Sequence, residues 1–241
     1  MSYMVDGYYR EAVASAPVSE RVAFIRRTYL HLAGAVLAFV GIEAALMVSG
    51  VGAELVKTMF AQRGAWVGLM LLFLVGGFGA QYLARSRQPV GLQYFGLTLY
   101  VLLEVLIFLP LMTAATNPAR GGSPVVPLQA GIVTLVVFAG LTVAVFVSGK
   151  DFSFLGPFLW VAGLVAFGLL LTGFVFGFSF GLVFCAAMVA LAAGFIIYDT
   201  SNIIHRYGTN EHVAASLELF ASVALLFWYV LRIFWSMNQD D

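Results

Sequence analysis

The feature that most constrains this chain is a series of apolar stretches, each about as long as a helix that crosses a lipid bilayer. About 20 helical residues cover the hydrocarbon core, because each residue advances the helix by about 1.5 Å. The chain is 62% hydrophobic and only 10% charged, which leaves too few charges to shield such surface from water. We therefore predict an all-α fold, a seven-helix transmembrane bundle. The predicted spans are approximately Thr28–Ser49, Ala65–Ala84, Val90–Thr113, Leu128–Val147, Phe154–Phe176, Phe178–Asp199 and Val213–Trp235.

The segment before the first span is polar and carries several arginines. It lacks the short apolar core and the small-residue cleavage site of a signal peptide, so we expect the first span to act as an uncleaved insertion signal. Two parts are predicted: a polar cytoplasmic N-terminal tail over residues 1–27, and a seven-helix transmembrane domain over residues 28–236.

The Lys and Arg residues predict the orientation, because short cytoplasmic loops carry an excess of positive charge. Placing the N-terminus in the cytoplasm gives the inner side more basic residues than the outer side, and seven spans then place the C-terminus outside. The inner set is Arg10, Arg21, Arg26, Arg27, Arg85, Arg87, Lys150 and Arg206, and the outer set is Lys57, Arg63, Arg120 and Arg232.

Several classes of function are disfavoured. Formal net charge is zero and the basic residues form no stripe, so we predict no nucleic-acid partner. Cys185 is the one cysteine and lies in an apolar run, as expected of a small core residue. The stretch "GFSFG" (Gly177 to Gly181) matches a serine-hydrolase pattern, but that pattern requires a strand-to-helix turn. No nucleophile and base share a membrane side, so we predict no enzymatic activity.

Four acids lie in or near the predicted spans, where an ionisable group is expensive to bury and often functional. Glu43 lies late in the first span, and either a functional role or a carboxylate near the headgroups fits that position. Glu104 lies near the middle of the third span. It fits either an ion path or a protonated carboxyl that packs against a polar neighbour.

Asp199 and Glu218 are predicted at similar depth on the cytoplasmic side, because the sixth span ends at Asp199 and the seventh begins near Val213. One face of the seventh span carries mostly polar groups at heptad spacing, and this face should point into the bundle rather than to lipid. The stripe is Glu218, Ser222, Leu225, Tyr229 and Arg232. Solvated acids at helix ends are the alternative to a buried acid site.

Two carboxyl groups that lie close together can share a proton and titrate as a pair. They can equally accept a hard cation such as calcium, which prefers carboxylate and carbonyl oxygens. Thr200, Ser201 and Asn202 offer neutral oxygens beside Asp199. No cofactor is predicted beyond calcium as a permeant or bound ion, for which Asp199 is the candidate ligand.

Three segments carry a family resemblance: "GKDFSFLG" (Gly149 to Gly156), "YDTSNIIH" (Tyr198 to His205) and "ASLELFASVALLFWYVLRIF" (Ala215 to Phe234). With the seven spans, they resemble the Bax inhibitor 1 (transmembrane Bax inhibitor motif) family, and most closely its bacterial YccA-like branch. The resemblance covers the chain from about Arg26 onward. It implies a bundle in which the seventh helix is central.

The resemblance also implies a mechanism. Calcium-leak members of the family use two aspartates, one ending helix six and one in helix seven. Asp199 matches the first, whereas Ser222 stands at the second position. Arg85 matches a basic residue after helix two. Asn202 and His205 of the same motif are secondary candidates, together with Glu104 and Glu43. We hypothesise from spacing that Glu218, one turn before Ser222, partly replaces the missing acid and pairs with Asp199, or with Arg85 through Asp199.

Two functions follow as expectations. The first is a pH-sensitive cation (calcium) leak channel or carrier of the bacterial inner membrane, in which protonation near Asp199 controls gating. The alternative is a non-transporting modulator of the membrane-anchored ATP-dependent protease FtsH in membrane-protein quality control. The lipid bilayer is the predicted environment in both cases, and the protease is a partner in the second.

Overall fold

A computed structural model describes residues 3–5, 8–10, 13–61, 63–85, 88–176 and 180–239 of the chain. Within these ranges, a short antiparallel pair of strands comes first and is followed by helices. The strands are β1 (Tyr3–Val5) and β2 (Tyr8–Arg10), and the α-helices are α1 (Val18–Val48), α2 (Val51–Ala61), α3 (Arg63–Leu83), α4 (Val90–Thr116), α5 (Val125–Ser148), α6 (Leu155–Phe176), α7 (Leu182–His205) and α8 (His212–Gln239). Single 3-10 turns lie at Val13–Ser15 and Pro118–Arg120.

Each predicted span coincides with an α-helix: the first with α1 and the second to seventh with α3 to α8. Among the described residues, six helices are long and apolar enough to cross a membrane, namely α1 and α4 to α8. The apolar part of α3, Val67–Leu83, is shorter than these six. The all-helical membrane architecture is therefore supported, whereas the count of seven spans stays a prediction.

Two helix boundaries correct the sequence analysis. Helix α1 begins at Val18, ten residues before the predicted start of the first span at Thr28, because arginine is a good helix former and does not interrupt the helix. Helix α7 continues past Asp199 to His205, so this acid lies inside the helix rather than at its end. Helix α2 occupies a stretch between two predicted spans and packs against α1 and α3.

The described chain divides into two compact units. The first comprises Met1–Ala114 and His205–Phe220. Its core contains an aromatic cluster: Phe39 meets Phe108 edge to face at 5.0 Å between ring centroids, and Phe220 lies 6.2 Å from both Phe39 and Tyr100. Such edge-to-face contacts stabilise aromatic pairs beyond the effect of burial.

The second unit comprises Ala115–Ile204 and Ala221–Asp241. Ala166, Cys185, Met188 and Tyr229 form a buried cluster in it, so Cys185 is the small core residue that the sequence predicts. Helix α5 stops at Gly149, whose φ of +59° lies in the left-handed region that favours glycine. This turn releases the chain into the loop that precedes α6.

Helices α4 and α8 are the most buried of the membrane-length helices. In their most apolar windows, 61% of residues in α4 and 67% in α8 are buried, against 17–28% in the other four. A helix that is apolar but largely exposed suits contact with lipid, whereas a helix that is buried over most of its length must contact protein.

Candidate functional site

Asp199 and Ser222 are joined by a buried hydrogen bond between α7 and α8. The Ser222 hydroxyl donates to Oδ2 of Asp199 at 2.5 Å, and the side chains are only 7% and 6% exposed. A hydroxyl can donate such a short bond to a carboxyl oxygen. The position at which the resemblance expects a second aspartate is thus filled by a donor that contacts the first.

The segment of α7 from Asp199 to Ile203 is continuously buried. Thr200 Oγ1 and Asn202 Oδ1 have no hydrogen-bond partner among the described residues. Buried polar atoms are normally satisfied, by protein or by ordered water. These two buried oxygens are therefore available to a water molecule or a cation. His205, at the last position of α7, is half-buried.

Ser201 connects the two motifs "GKDFSFLG" and "YDTSNIIH". Its Oγ accepts a hydrogen bond from the Phe152 backbone N–H at 2.8 Å and donates to Oδ1 of Asp151 at 3.5 Å. Asp151 also accepts from the Ser153 backbone N–H at 2.9 Å, which closes a tight turn. The loop before α6 is thereby fixed to α7 two residues after Asp199.

Gly156 and Tyr198 form the second connection between these motifs. A Cβ placed on Gly156 would lie 2.9 Å from Cε2 of Tyr198, closer than real Cβ contacts. Only glycine lets the start of α6 approach the tyrosine ring this closely. Tyr198 precedes Asp199, so this contact restrains the backbone that carries the acid.

Glu218 and Arg85 lie in the other unit. The Glu218 side chain shares a hydrogen bond with Tyr207, and the Arg85 guanidinium is close enough to attract its carboxylate. Glu218 and Arg85 are both exposed, whereas the residues that flank Glu218 on α8, Leu217 and Leu219, are buried. The position lies within the second turn of α8, and this part of the helix is already packed in the core, so the Glu218 side chain leaves the helix on its exposed side. Pairing of Glu218 with Asp199 stays a prediction.

A family model and several known proteins match this chain over most of its length. The family model described as "Inhibitor of apoptosis-promoting Bax1" matches residues 21–240. Protein lifeguard 4 of Mus musculus is 31% identical over 241 residues, covering 97% of this chain and 93% of its own length. This chain belongs to the Bax inhibitor 1 family.

Other members of the family support the same assignment. Protein LIFEGUARD 4 of Arabidopsis thaliana is 30% identical and covers 89% of this chain and 85% of its own length. The Golgi anti-apoptotic protein of Vaccinia virus (strain Lister) is 30% identical and covers 97% of this chain and 94% of its own length. The family resemblance is confirmed, whereas membership of the bacterial YccA-like branch stays a prediction.

The other two acids predicted in the spans of this Bax inhibitor 1 family member, Glu104 and Glu43, lie in the first unit. Glu104 is buried at 6% exposure and shares a hydrogen bond with Tyr100, one turn earlier on α4. That arrangement is the polar neighbour that the sequence analysis considered. Glu43 is only 1% exposed, and neither carboxylate oxygen has a hydrogen-bond partner among the described residues. Of the two alternatives for Glu43, burial argues against a carboxylate near the headgroups, and a functional role stays a prediction.

The polar stripe of α8 is only partly turned inward. Ser222 and Tyr229 are buried, at 7% and 3% exposure, and Leu225 and Arg232 are half-buried. Glu218 is exposed. The inward-facing stripe is thus observed at Ser222 and Tyr229, whereas the Glu218 side chain is exposed although the turn of α8 that carries it is otherwise buried.

Two groups of residues escaped the sequence analysis. Asp151 was visible in the quoted "GKDFSFLG" motif, but its link to Ser201 depends on tertiary packing. His31 and His212 lie with ring centroids 5.0 Å apart, and His31 Nε2 is 2.8 Å from the Tyr94 hydroxyl. These residues are far apart in sequence, so no local pattern could have grouped them.

Neither a metal cluster nor the serine-hydrolase pattern gains support from the described residues. Among them, no three His, Cys, Asp or Glu side chains are grouped to hold a metal ion. Ser179, the centre of the "GFSFG" pattern, lies outside the described residues.

Proposed function

We propose that this chain provides a pH-sensitive leak pathway for cations, with calcium as the cation, across a bacterial inner membrane. The observation that carries the proposal is the buried hydrogen bond from Ser222 to Asp199, which joins α7 to α8. An ionisable group that is buried in a membrane helix is expensive to retain and marks an ion or proton path by default.

Protonation of Asp199 is the gating step in this proposal. A hydroxyl that donates to a charged carboxylate makes a bond about twice as strong as one between neutral groups. Uptake of a proton removes the charge and with it this extra strength, so α7 and α8 separate more easily. The leak is therefore expected to increase as the pH falls. Because Ser222 carries no charge, loss of the proton produces attraction between these helices rather than repulsion between two acids.

The cation would be recognised by oxygen atoms on α7. Asp199 supplies a carboxylate, and Thr200 Oγ1 and Asn202 Oδ1 are buried oxygens within three residues of it on the same helix. Calcium takes six to eight oxygen ligands in flexible geometry, so an ion at this position would keep several waters. Such weak, partly hydrated binding suits a permeating ion, which must also leave.

The membrane arrangement follows the sequence-based orientation. We propose seven spans, α1 and α3 to α8, with the N-terminus in the cytoplasm, the C-terminus outside and α8 central. The heavy burial of α8 supports this last point. In this orientation the end of α7 and the start of α8 are cytoplasmic, and Asp199 senses cytoplasmic pH.

The decisive experiment measures calcium flux into proteoliposomes at acidic and alkaline pH. Asp199→Asn replaces the carboxylate by an amide that cannot be charged, so the flux should be high at both pH values. Glu218→Gln tests whether this exposed acid compensates for the missing aspartate, in which case the pH dependence weakens. If neither substitution alters flux or its pH dependence, the proposal is wrong.

Modulation of the membrane-anchored protease FtsH is the alternative function. The first residue that the structure shows as buried is Val13, whose N–H donates to the Tyr207 carbonyl at 2.8 Å. Residues 2–12 precede this contact and can be deleted without removing it. If the alternative holds, the deletion changes degradation of the chain or of protease substrates in cells and leaves calcium flux unchanged.

A further inference from the structure

An apolar groove lies on the first unit between α1 and α4. Its volume is about 340 Å³. Residues of α1 and α4 line it, and those of α1 include a glycine and two alanines. The lining includes Gly34, Ala35, Ala38 and Ile42 of α1, and Leu97 and Val101 of α4. His31 lines the end nearest the N-terminus of α1.

The groove is open where α1 carries its smallest side chain. A Cβ placed on Gly34 would meet no atom within 4 Å outside the local helix. Along α1 the lining runs from Leu30 to Ile42, which corresponds to about 18 Å of helix at 1.5 Å per residue. One leaflet of the hydrocarbon core is about 15 Å thick. The groove therefore matches the depth of a single leaflet.

Positive charge stands at the polar end of this groove. Arg27 precedes His31 by four residues and Gly34 by seven, so the three lie on one face of α1. Arg27 and its neighbour Arg26 are exposed. None of the residues that line the groove is acidic. An apolar channel that ends at exposed arginines is complementary to a molecule with an acyl chain and an anionic head.

Both nitrogens of the His31 ring have hydrogen-bond partners in the protein. Its Nδ1 lies 2.6 Å from the Arg27 carbonyl, which can only accept, so Nδ1 carries a proton. In the neutral ring, Nε2 then accepts from the Tyr94 hydroxyl at 2.8 Å. Arg27, which is exposed on the same face of α1, is therefore the cation at this end that can meet an anion.

We propose that this groove binds one membrane phospholipid of net negative charge, with an acyl chain along Gly34 and Ala38 and the phosphate at Arg27. The lipid comes from the leaflet that faces the start of α1. Helices α1 and α4 are both long and apolar enough to span a membrane, so lipid is the molecule that surrounds this face. The inference does not depend on ion transport.

The test uses the full chain in nanodiscs of mixed phosphatidylglycerol and phosphatidylcholine, followed by native mass spectrometry of the lipid retained after extraction. The wild-type chain should retain one lipid and prefer phosphatidylglycerol. Gly34→Leu fills the groove and should weaken retention, by roughly tenfold for every two methylene groups displaced. Gly41→Leu is the matched control, since a Cβ there also meets no atom within 4 Å and Gly41 does not line the groove.

Charge is tested separately. Arg27→Gln should keep the lipid but reduce the preference for phosphatidylglycerol by about fivefold, the ratio expected for one basic residue at an anionic surface. Equal retention in Gly34→Leu and Gly41→Leu would show that the groove does not hold the lipid. A wild-type chain that retains phosphatidylcholine equally well, or that retains no lipid and instead forms dimers lost in Gly34→Leu, would also overturn the proposal.

Discussion

Removal of the Ser222 hydroxyl tests the gating contact most directly. In Ser222→Ala the Asp199 carboxylate loses a hydrogen-bond donor at 2.5 Å. Asp199 is only 6% exposed, so water has little access to replace that donor. A hydrogen bond to a charged group contributes about 1.5–3 kcal/mol. If the bond is present only when the pathway is closed, its loss shifts the closed–open equilibrium by roughly 10- to 150-fold towards open.

The assay is calcium entry into proteoliposomes loaded with a fluorescent indicator, at a fixed alkaline pH where the wild-type chain should be mostly closed. We expect Ser222→Ala to raise the initial rate substantially, up to the limit set by a fully open pathway. Thermal unfolding in detergent shows whether the variant is folded. The double variant with Asp199→Asn should add little, because Ser222→Ala removes the bond that Asp199→Asn weakens by removing its charge.

The control is Ser216→Ala on the same helix. Ser216 is fully buried, and its hydroxyl donates to the Val213 carbonyl at 2.8 Å, within one helical turn. Its loss removes a hydroxyl of the same kind without loosening α7 from α8. A folded Ser222→Ala chain whose flux rises no more than that of Ser216→Ala would refute the gating role of the bond.

Two packing predictions concern the restraints on Asp199. Gly156→Ala forces Cβ against the Tyr198 ring and should cost about 1–3 kcal/mol, seen as a fall in Tm of about 2–4 °C per kcal/mol. Gly163→Ala, whose Cβ would meet an ordinary 3.7 Å contact on the same helix, should show no such fall, and equal Tm values would contradict the close approach. Ser201→Ala leaves the Phe152 N–H without its acceptor and should lower Tm by the equivalent of about 1–3 kcal/mol. If Ser201→Ala has the same Tm as the control Ser216→Ala, the prediction is wrong and water replaces the Ser201 hydroxyl.

Much of the architecture could be predicted because membrane helices satisfy their own backbone hydrogen bonds and must be apolar over a fixed length. Both requirements are local, so composition and length located seven of the helices. Helix ends were less predictable. The extension of α1 back to Val18 and of α7 on to His205 runs through polar residues, which end an apolar run without ending a helix.

For the candidate site, too, the sequence determines some features and the tertiary structure determines others. The sequence alone determined that this is a membrane protein. It also identified Asp199 and Ser222 as candidate site residues, since burying a polar group in an apolar helix costs free energy. Only the tertiary structure decided that Ser222 donates to Asp199, that Ser201 holds the loop at Phe152, and that Glu218 is exposed. Contacts between residues far apart in sequence depend on how helices rotate and pack against each other, and hydrophobic periodicity does not fix that rotation when every face of a helix is apolar.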